Sequence, residues 1–245
     1  MKFKLAIIFI IIFFTKNSLS QVLPETTLQG SLIVGQLSQG DQITLNGNKL
    51  KLSKNKYFVF AVGRDELGPL NIAIFENKKL LSLNQIKIIT REYDIQKING
   101  LPEKMVTPDE EILKKIIADN KIISKAKLLD LDNVFFKKKF LIPTNGVISG
   151  VFGSQRILNE KPKSPHRGLD IAAPKGELVY ATNDGIITLA EDNLYYTGGT
   201  IIIDHGHGVK SIYAHLSAVD VVNQQRIKKG EMIGKVGSTG RSTGP

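Results

Sequence analysis

After Pro143 the chain is written in short apolar runs broken by Gly, Asn and Asp: NGVISGVFG, ELVYATNDGIITLAE, GGTIIIDHGHG, VKSIYAHL and MIGKVG. Runs of this length, rich in Val, Ile and Tyr and bounded by turn residues, predict the strands of an all-β domain. All four histidines fall within this part, so any chemistry the chain performs is expected here.

The preceding residues divide in two. From Gln29 to about Thr90 come SLIVG, QITL, the turn NGN, KYFVFAVG and NIAIF, which predict a small antiparallel sandwich over 21–92. It contains no histidine or clustered carboxylate and is expected to bind or space rather than catalyse. The period then changes. Thr107-Pro108-Asp109-Glu110 supplies an N-cap, a proline at the first helical position and an acid three residues after the cap. Ile112, Leu113, Ile116, Ile117, Ile123 and Ala126 recur at helical spacing and predict a helix over about 108–129, inside a linker spanning 93–140, with an apolar stripe packed on a neighbouring domain.

The first twenty residues place Lys2 and Lys4 before a ten-residue apolar run, Leu5 to Phe14, followed by the small-residue site Ser18-Leu19-Ser20. This is the pattern of a cleavable secretory signal over 1–20. The run is too short for a retained anchor, which needs roughly twenty apolar residues, so no stable membrane span is expected after cleavage. Export without a single cysteine fits a bacterial periplasmic or envelope protein that does without disulfides, and any metal must be held by His, Asp or Glu. Once Lys2, Lys4 and Lys16 leave with the signal, 30 basic residues face 23 acidic ones, a net charge of +7. Outside the cytoplasm such a surface suits anionic envelope polymers or lipid head groups. The lysines are scattered, as on a solvated face, and no nucleic-acid partner is expected.

Two stretches hold candidate chemistry. In SPHRGLD, His166 and Asp170 stand four residues apart between Pro165 and Pro174, which excludes a helix. In a regular strand they would lie about 13 Å apart. A bend at Gly168 could bring them to one ion; otherwise they form a surface pair. In SIYAHLS, strict alternation assigns Ile212, Ala214 and Leu216 to the core and Ser211, Tyr213 and His215 to an open groove. His215 is there either a proton-transfer or oxyanion-binding group or an ordinary strand histidine. His205 and His207, within DHGHG, read as hairpin turn chemistry.

Taken together, GVISGVFGSQR, HRGLDIAAPKGELVYATNDGIITLAE, GGTIIIDHGHGVKSIYAHLSAVDV and QQRIKKGEMIGKVGSTGRSTGP resemble the lysostaphin-like (LytM-type) zinc metallopeptidases over residues 141–245. The resemblance implies a β-rich, barrel-sandwich-like catalytic domain, Zn2+ held by His166 and Asp170, and His215 as the histidine that assists the reaction. It implies hydrolysis of peptide cross-links in peptidoglycan. More loosely, GSLIVGQLSQGDQITLNGNKLKLSKNKYFVFAVGRD resembles the immunoglobulin-like sandwich found ahead of such domains.

The family continues after GSTGRSTGP with a His-x-His motif that carries the third zinc ligand. A chain ending at Pro245 has two ligands of three and is expected to be inactive. Because the stop falls inside a motif, the reading frame is expected to continue. The alternative is a degenerate, non-catalytic relative that binds cell wall or activates cell-wall amidases.

Overall fold

The computed structural model describes residues 23–98, 110–162 and 164–245. The leader and the Thr107-Pro108 cap lie outside the described residues.

The first strands are β1 (Thr26–Leu28), β2 (Leu32–Gln36), β3 (Gln42–Leu45), β4 (Asn48–Lys49), β5 (Tyr57–Ala61), β6 (Leu70–Glu76) and β7 (Lys79–Ile89). They form a five-stranded sheet in the order β1-β7-β6-β3-β4 and a two-stranded sheet of β2 and β5. Phe58 and Phe60 of β5 pack with Ile43, Leu70, Ile72 and Ile86 of the larger sheet in one core, so this part is a small sandwich as expected.

Within the expected linker the chain does more than connect. Strand β8 (Ile95–Ile98) pairs in parallel with a strand some sixty residues later, and helix α1 runs over Glu110–Leu128. The buried stripe of α1 is narrower than the sequence suggested. Ile116, Asp119 and Ala126 are buried with Ile123 beside them, whereas Leu113 and Ile117 are exposed. The helix has one partner surface, so only residues on the arc facing it are covered.

The remaining strands are β9 (Val147–Gly150), β10 (Gln155–Leu158), β11 (Lys161–Pro162), β12 (Asp170–Ala172), β13 (Leu178–Tyr180), β14 (Gly185–Leu194), β15 (Gly198–Asp204), β16 (Lys210–Leu216), β17 (Ala218–Val219), β18 (Arg226–Ile227) and β19 (Met232–Lys235). Sheet β16-β15-β14-β18 faces sheet β13-β19-β17 across a core of Val179, Ile187, Ile201, Ile203, Tyr213, Leu216, Ile227 and Ile233. Every residue of β15 is buried. Ile201 and Ile203 enter that core, while Ile202 lies on the other face with Leu189 and Leu194 under Ala126 of α1. Cover on both faces explains why Ile201, Ile202 and Ile203 run on without a polar residue between them. Strand β13 pairs with β19, not with the β14 that follows it, and β14 forms a hairpin with β15. Among the described residues no helix is long and apolar enough to cross a membrane.

Candidate functional site

Strand β12 begins at Asp170 and pairs with β9, placing Asp170 opposite Gly150. Ahead of it residues 164–169 are not strand, and the chain bends at Gly168. That bend closes the gap that a straight strand would leave. Nε2 of His166 lies 3.1 Å from Oδ1 of Asp170.

The imidazole is fixed from behind. Its Nδ1 stands 3.1 Å from the carbonyl oxygen of Val151. A carbonyl only accepts, so Nδ1 carries a hydrogen and Nε2 is the nitrogen turned toward Asp170. Backbone bonds hold the same residue: His166 N donates to Ser154 O, and Gly153 N donates to His166 O, both at 2.8 Å. Gly150 provides the space for the carboxylate, since a Cβ there would stand 2.4 Å from Oδ2 of Asp170.

Such an arrangement suits a cation. A neutral imidazole presents a lone pair to a carboxylate oxygen, an unfavourable pairing unless a proton or a metal ion comes between them. Two ligands on a tetrahedral zinc at about 2.0–2.2 Å stand about 3.3 Å apart, close to the observed separation. A nitrogen and a carboxylate oxygen are among the donors zinc takes, and the Nδ1–H to carbonyl bond is the outer support that metal-bound histidines usually have. Among the described residues no set of three or more His, Cys, Asp or Glu side chains could hold a metal, and His166 and Asp170 stand as a pair.

His215 lies on β16, where the expected alternation fails. The β15–β16 register shifts between Gly199 and Ile201, which pair with Leu216 and Tyr213. The extra residue is absorbed by a bulge, and His215 takes φ +64°. Tyr213 therefore enters the core with Leu216 and Ile212 points out at 47% exposure, so the assigned faces hold for Leu216 and are exchanged for Ile212 and Tyr213. A bulge of this kind re-aims a side chain. Tyr213 does not accompany His215 in a groove; its hydroxyl accepts from Thr182 N at 2.8 Å inside the fold. His215 Nδ1 is 2.8 Å from Thr239 O, and its backbone N donates to Thr197 O at 2.7 Å. Nε2 is thereby the basic nitrogen. Ala173, three residues after Asp170, shares one core with Tyr213 and Leu216, which bracket His215.

The other two histidines do not complete the site. His205 and His207 sit in the β15–β16 hairpin, as expected for turn residues. His205 is fully buried, with Nδ1 2.6 Å from Asp184 O and Nε2 2.9 Å from Ser211 Oγ. Burial holds its pKa below the ordinary imidazole range. His207 packs its ring against Phe136, and burial lowers its pKa too.

Residues 164–245, which contain His166, Asp170 and His215, match the profile of peptidase family M23. This part of the chain is similar to the M23 peptidases. The chain is 40% identical over 109 residues to the peptidoglycan DD-endopeptidase ShyA of Vibrio cholerae, covering 44% of this chain and 25% of that protein. It is 37% identical over 101 residues to the murein hydrolase activator NlpD of Escherichia coli, covering 41% of this chain and 25% of that protein. The chain thus spans no more than about a quarter of the length of the curated relatives it matches. A crystal structure of a Pseudomonas aeruginosa protein assigned to peptidase M23 matches 89% of this chain and 86% of that one, with a TM-score of 0.61 at 23% identity. That likeness is one of fold, and it extends beyond the residues that match the profile into the sandwich and helix.

Sequence reasoning missed three supports of the site. Thr239 and Thr197 fix His215, and Asp119 of α1 accepts from Tyr195 N at 2.6 Å, two residues before Thr197. Thr239 lies in GSTGRSTGP and was within reach of the motif reading. The other two are ordinary residues in sequence and gain meaning only from their neighbours in space.

Proposed function

We propose that this chain belongs to an exported zinc metalloendopeptidase that hydrolyses peptide cross-links of bacterial peptidoglycan. The observation that carries the reading is the His166–Asp170 pair, set 3.1 Å apart with Nδ1 of the histidine already engaged. His166 and Asp170 would hold the zinc, with the third ligand coming from the His-x-His motif that the family resemblance puts after GSTGRSTGP. Zinc bound there supplies a Lewis acid for the scissile carbonyl and lowers the pKa of a bound water.

His215 is suited to the proton work. With Nδ1–H given to Thr239 O, Nε2 can take a proton from the attacking water. Once protonated, the same nitrogen donates a hydrogen bond to the oxyanion of the tetrahedral intermediate and can pass the proton on to the leaving amine. The substrate reading is supported by the peptidoglycan endopeptidase among the relatives, and the net charge of +7 after signal removal suits an anionic wall polymer.

The test uses the full-length protein and purified cell wall. Zinc-dependent release of peptide fragments, abolished by a chelator and restored by zinc, is the expected result. A full-length protein that binds no zinc and leaves the wall intact overturns the reading. The similarity to NlpD supports a second reading, activation of a wall amidase. It is distinguished by a protein that is inert alone yet raises hydrolysis when an amidase is added. The presence of His166, Asp170 and His215 in one chain favours the enzyme, because an activator has no use for a metal-ready pair.

A further inference from the structure

The turn that supports His166 is itself gripped by the N-terminal sandwich. Arg64, in the loop after β5, donates from Nε to the carbonyl oxygen of Gly153 at 2.7 Å. Its side chain is 21% exposed, and its guanidinium carbon lies 4.4 Å from the centroid of the Tyr93 ring. The Tyr93 hydroxyl donates to Arg64 O at 3.3 Å. Tyr93 rests on Gly153, where a Cβ would come within 2.0 Å of its ring, and Phe152 rests on Gly30, where a Cβ would come within 2.5 Å. Phe152 also meets Tyr93 edge to face, with centroids 6.4 Å apart. Phe152 and Gly153, which directly follow Val151, the acceptor for His166 Nδ1, are thus held by the sandwich, and Gly153 and Ser154 are also held by His166 itself.

We infer that Arg64 is a positioning residue for the metal ligand His166, acting through the Gly153 carbonyl and the 151–154 turn, so that the sandwich is a working part of the metal site. The inference rests on the proposed reading of His166 as a zinc ligand. Arg64 touches neither metal nor substrate. It restricts the turn whose Val151 oxygen sets the tautomer and direction of the imidazole, the kind of outer support whose loss weakens metal binding about ten- to hundredfold. A single planar guanidinium does this while stacked on Tyr93, a geometry that a flexible ammonium matches only in part.

The experiment measures zinc affinity of the full-length protein by chelator competition, together with thermal unfolding. Arg64→Ala is expected to raise the zinc Kd about tenfold, and Arg64→Lys, which keeps a donor for Gly153 O, to recover part of that loss. Ile72→Val loosens the core of the same sandwich away from the turn and is expected to lower its stability with the zinc Kd unchanged. His166→Ala reports on the underlying reading: if it leaves zinc binding as in the wild type, His166 is no ligand and the proposed function fails. If His166→Ala abolishes binding while Arg64→Ala leaves the Kd unchanged, the positioning role alone is overturned. An equal rise in Kd for Ile72→Val and Arg64→Ala also overturns it, since general loosening would then account for both.

Discussion

The carboxylate of Asp119 on α1 accepts a hydrogen bond from the backbone N of Tyr195 at 2.6 Å, so the helix outside the sheet sets the loop that anchors His215 through Thr197. Asp119 is 8% exposed and also pairs with Lys115. Asp119→Ala leaves the Tyr195 amide without its acceptor and is expected to destabilise the fold by about 1–3 kcal/mol. Asp119→Asn, which keeps a carbonyl oxygen for that amide, should lose less. Chemical denaturation of both variants checks the order, and equal losses would count against the hydrogen bond as the cause.

Gly150→Ala should act on Asp170. The added Cβ would stand 2.4 Å from Oδ2, 3.0 Å from Cγ and 3.1 Å from Cβ of Asp170, so the aspartate must shift. The shift takes a proposed ligand out of place. The expected outcome is zinc affinity reduced about tenfold or more, with thermal unfolding measured beside it. Unchanged affinity would show that Asp170 tolerates displacement and is not a ligand.

His215 occupies left-handed backbone space at φ +64°, where a side chain costs about 1–2 kcal/mol relative to glycine. Replacing it with Gly should therefore give a more stable protein than replacing it with Ala. Both variants should lose about 10²–10⁴ in wall hydrolysis while keeping their zinc. A His215→Ala protein that remains fully active would remove the histidine from the mechanism.

The buried hairpin histidine predicts an acid-sensitive fold. Burial holds the His205 pKa below its unfolded value of about 6.5, and the same holds for His207. Each is neutral in the native state and protonates more readily in the unfolded chain. Their contribution is whole above pH 6.5 or so and is lost as pH falls toward the lowered native values, by up to about 1.4 kcal/mol per pH unit for each group. The melting temperature should fall between about pH 7 and pH 5, and less steeply in His205→Gln. A slope that is the same in both proteins would refute this.

Much of the fold could be read from residue patterns, since strand runs and helix periodicity are local. The sandwich, α1 and the strands after Pro143 all appear near their expected positions. The His166–Asp170 contact was legible to the extent that Gly168 allowed a bend. What escaped was non-local. No residue type announces the bulge at His215, which depends on how β15 and β16 come into register and which exchanges the faces of Ile212 and Tyr213. The pairing of β13 with β19 and of β8 with β10 joins segments about sixty residues apart, beyond the reach of any periodicity. Arg64 and Asp119 read as solvated charges because their partners are backbone groups of other elements.

The parallel pairing of β8 with β10 has a further consequence for where the working unit begins. A cut at residue 141, the edge suggested by motif resemblance, would keep His166, Asp170 and His215 together. It would also expose the flank of β10, uncover Leu189, Leu194 and Ile202, and release the turn under His166 from Arg64. Such an isolated half would offer an unpaired strand edge and a bare apolar face to its neighbours, a combination that favours self-association. The unit that is inherited by sequence is thus smaller than the unit that can stand alone in water.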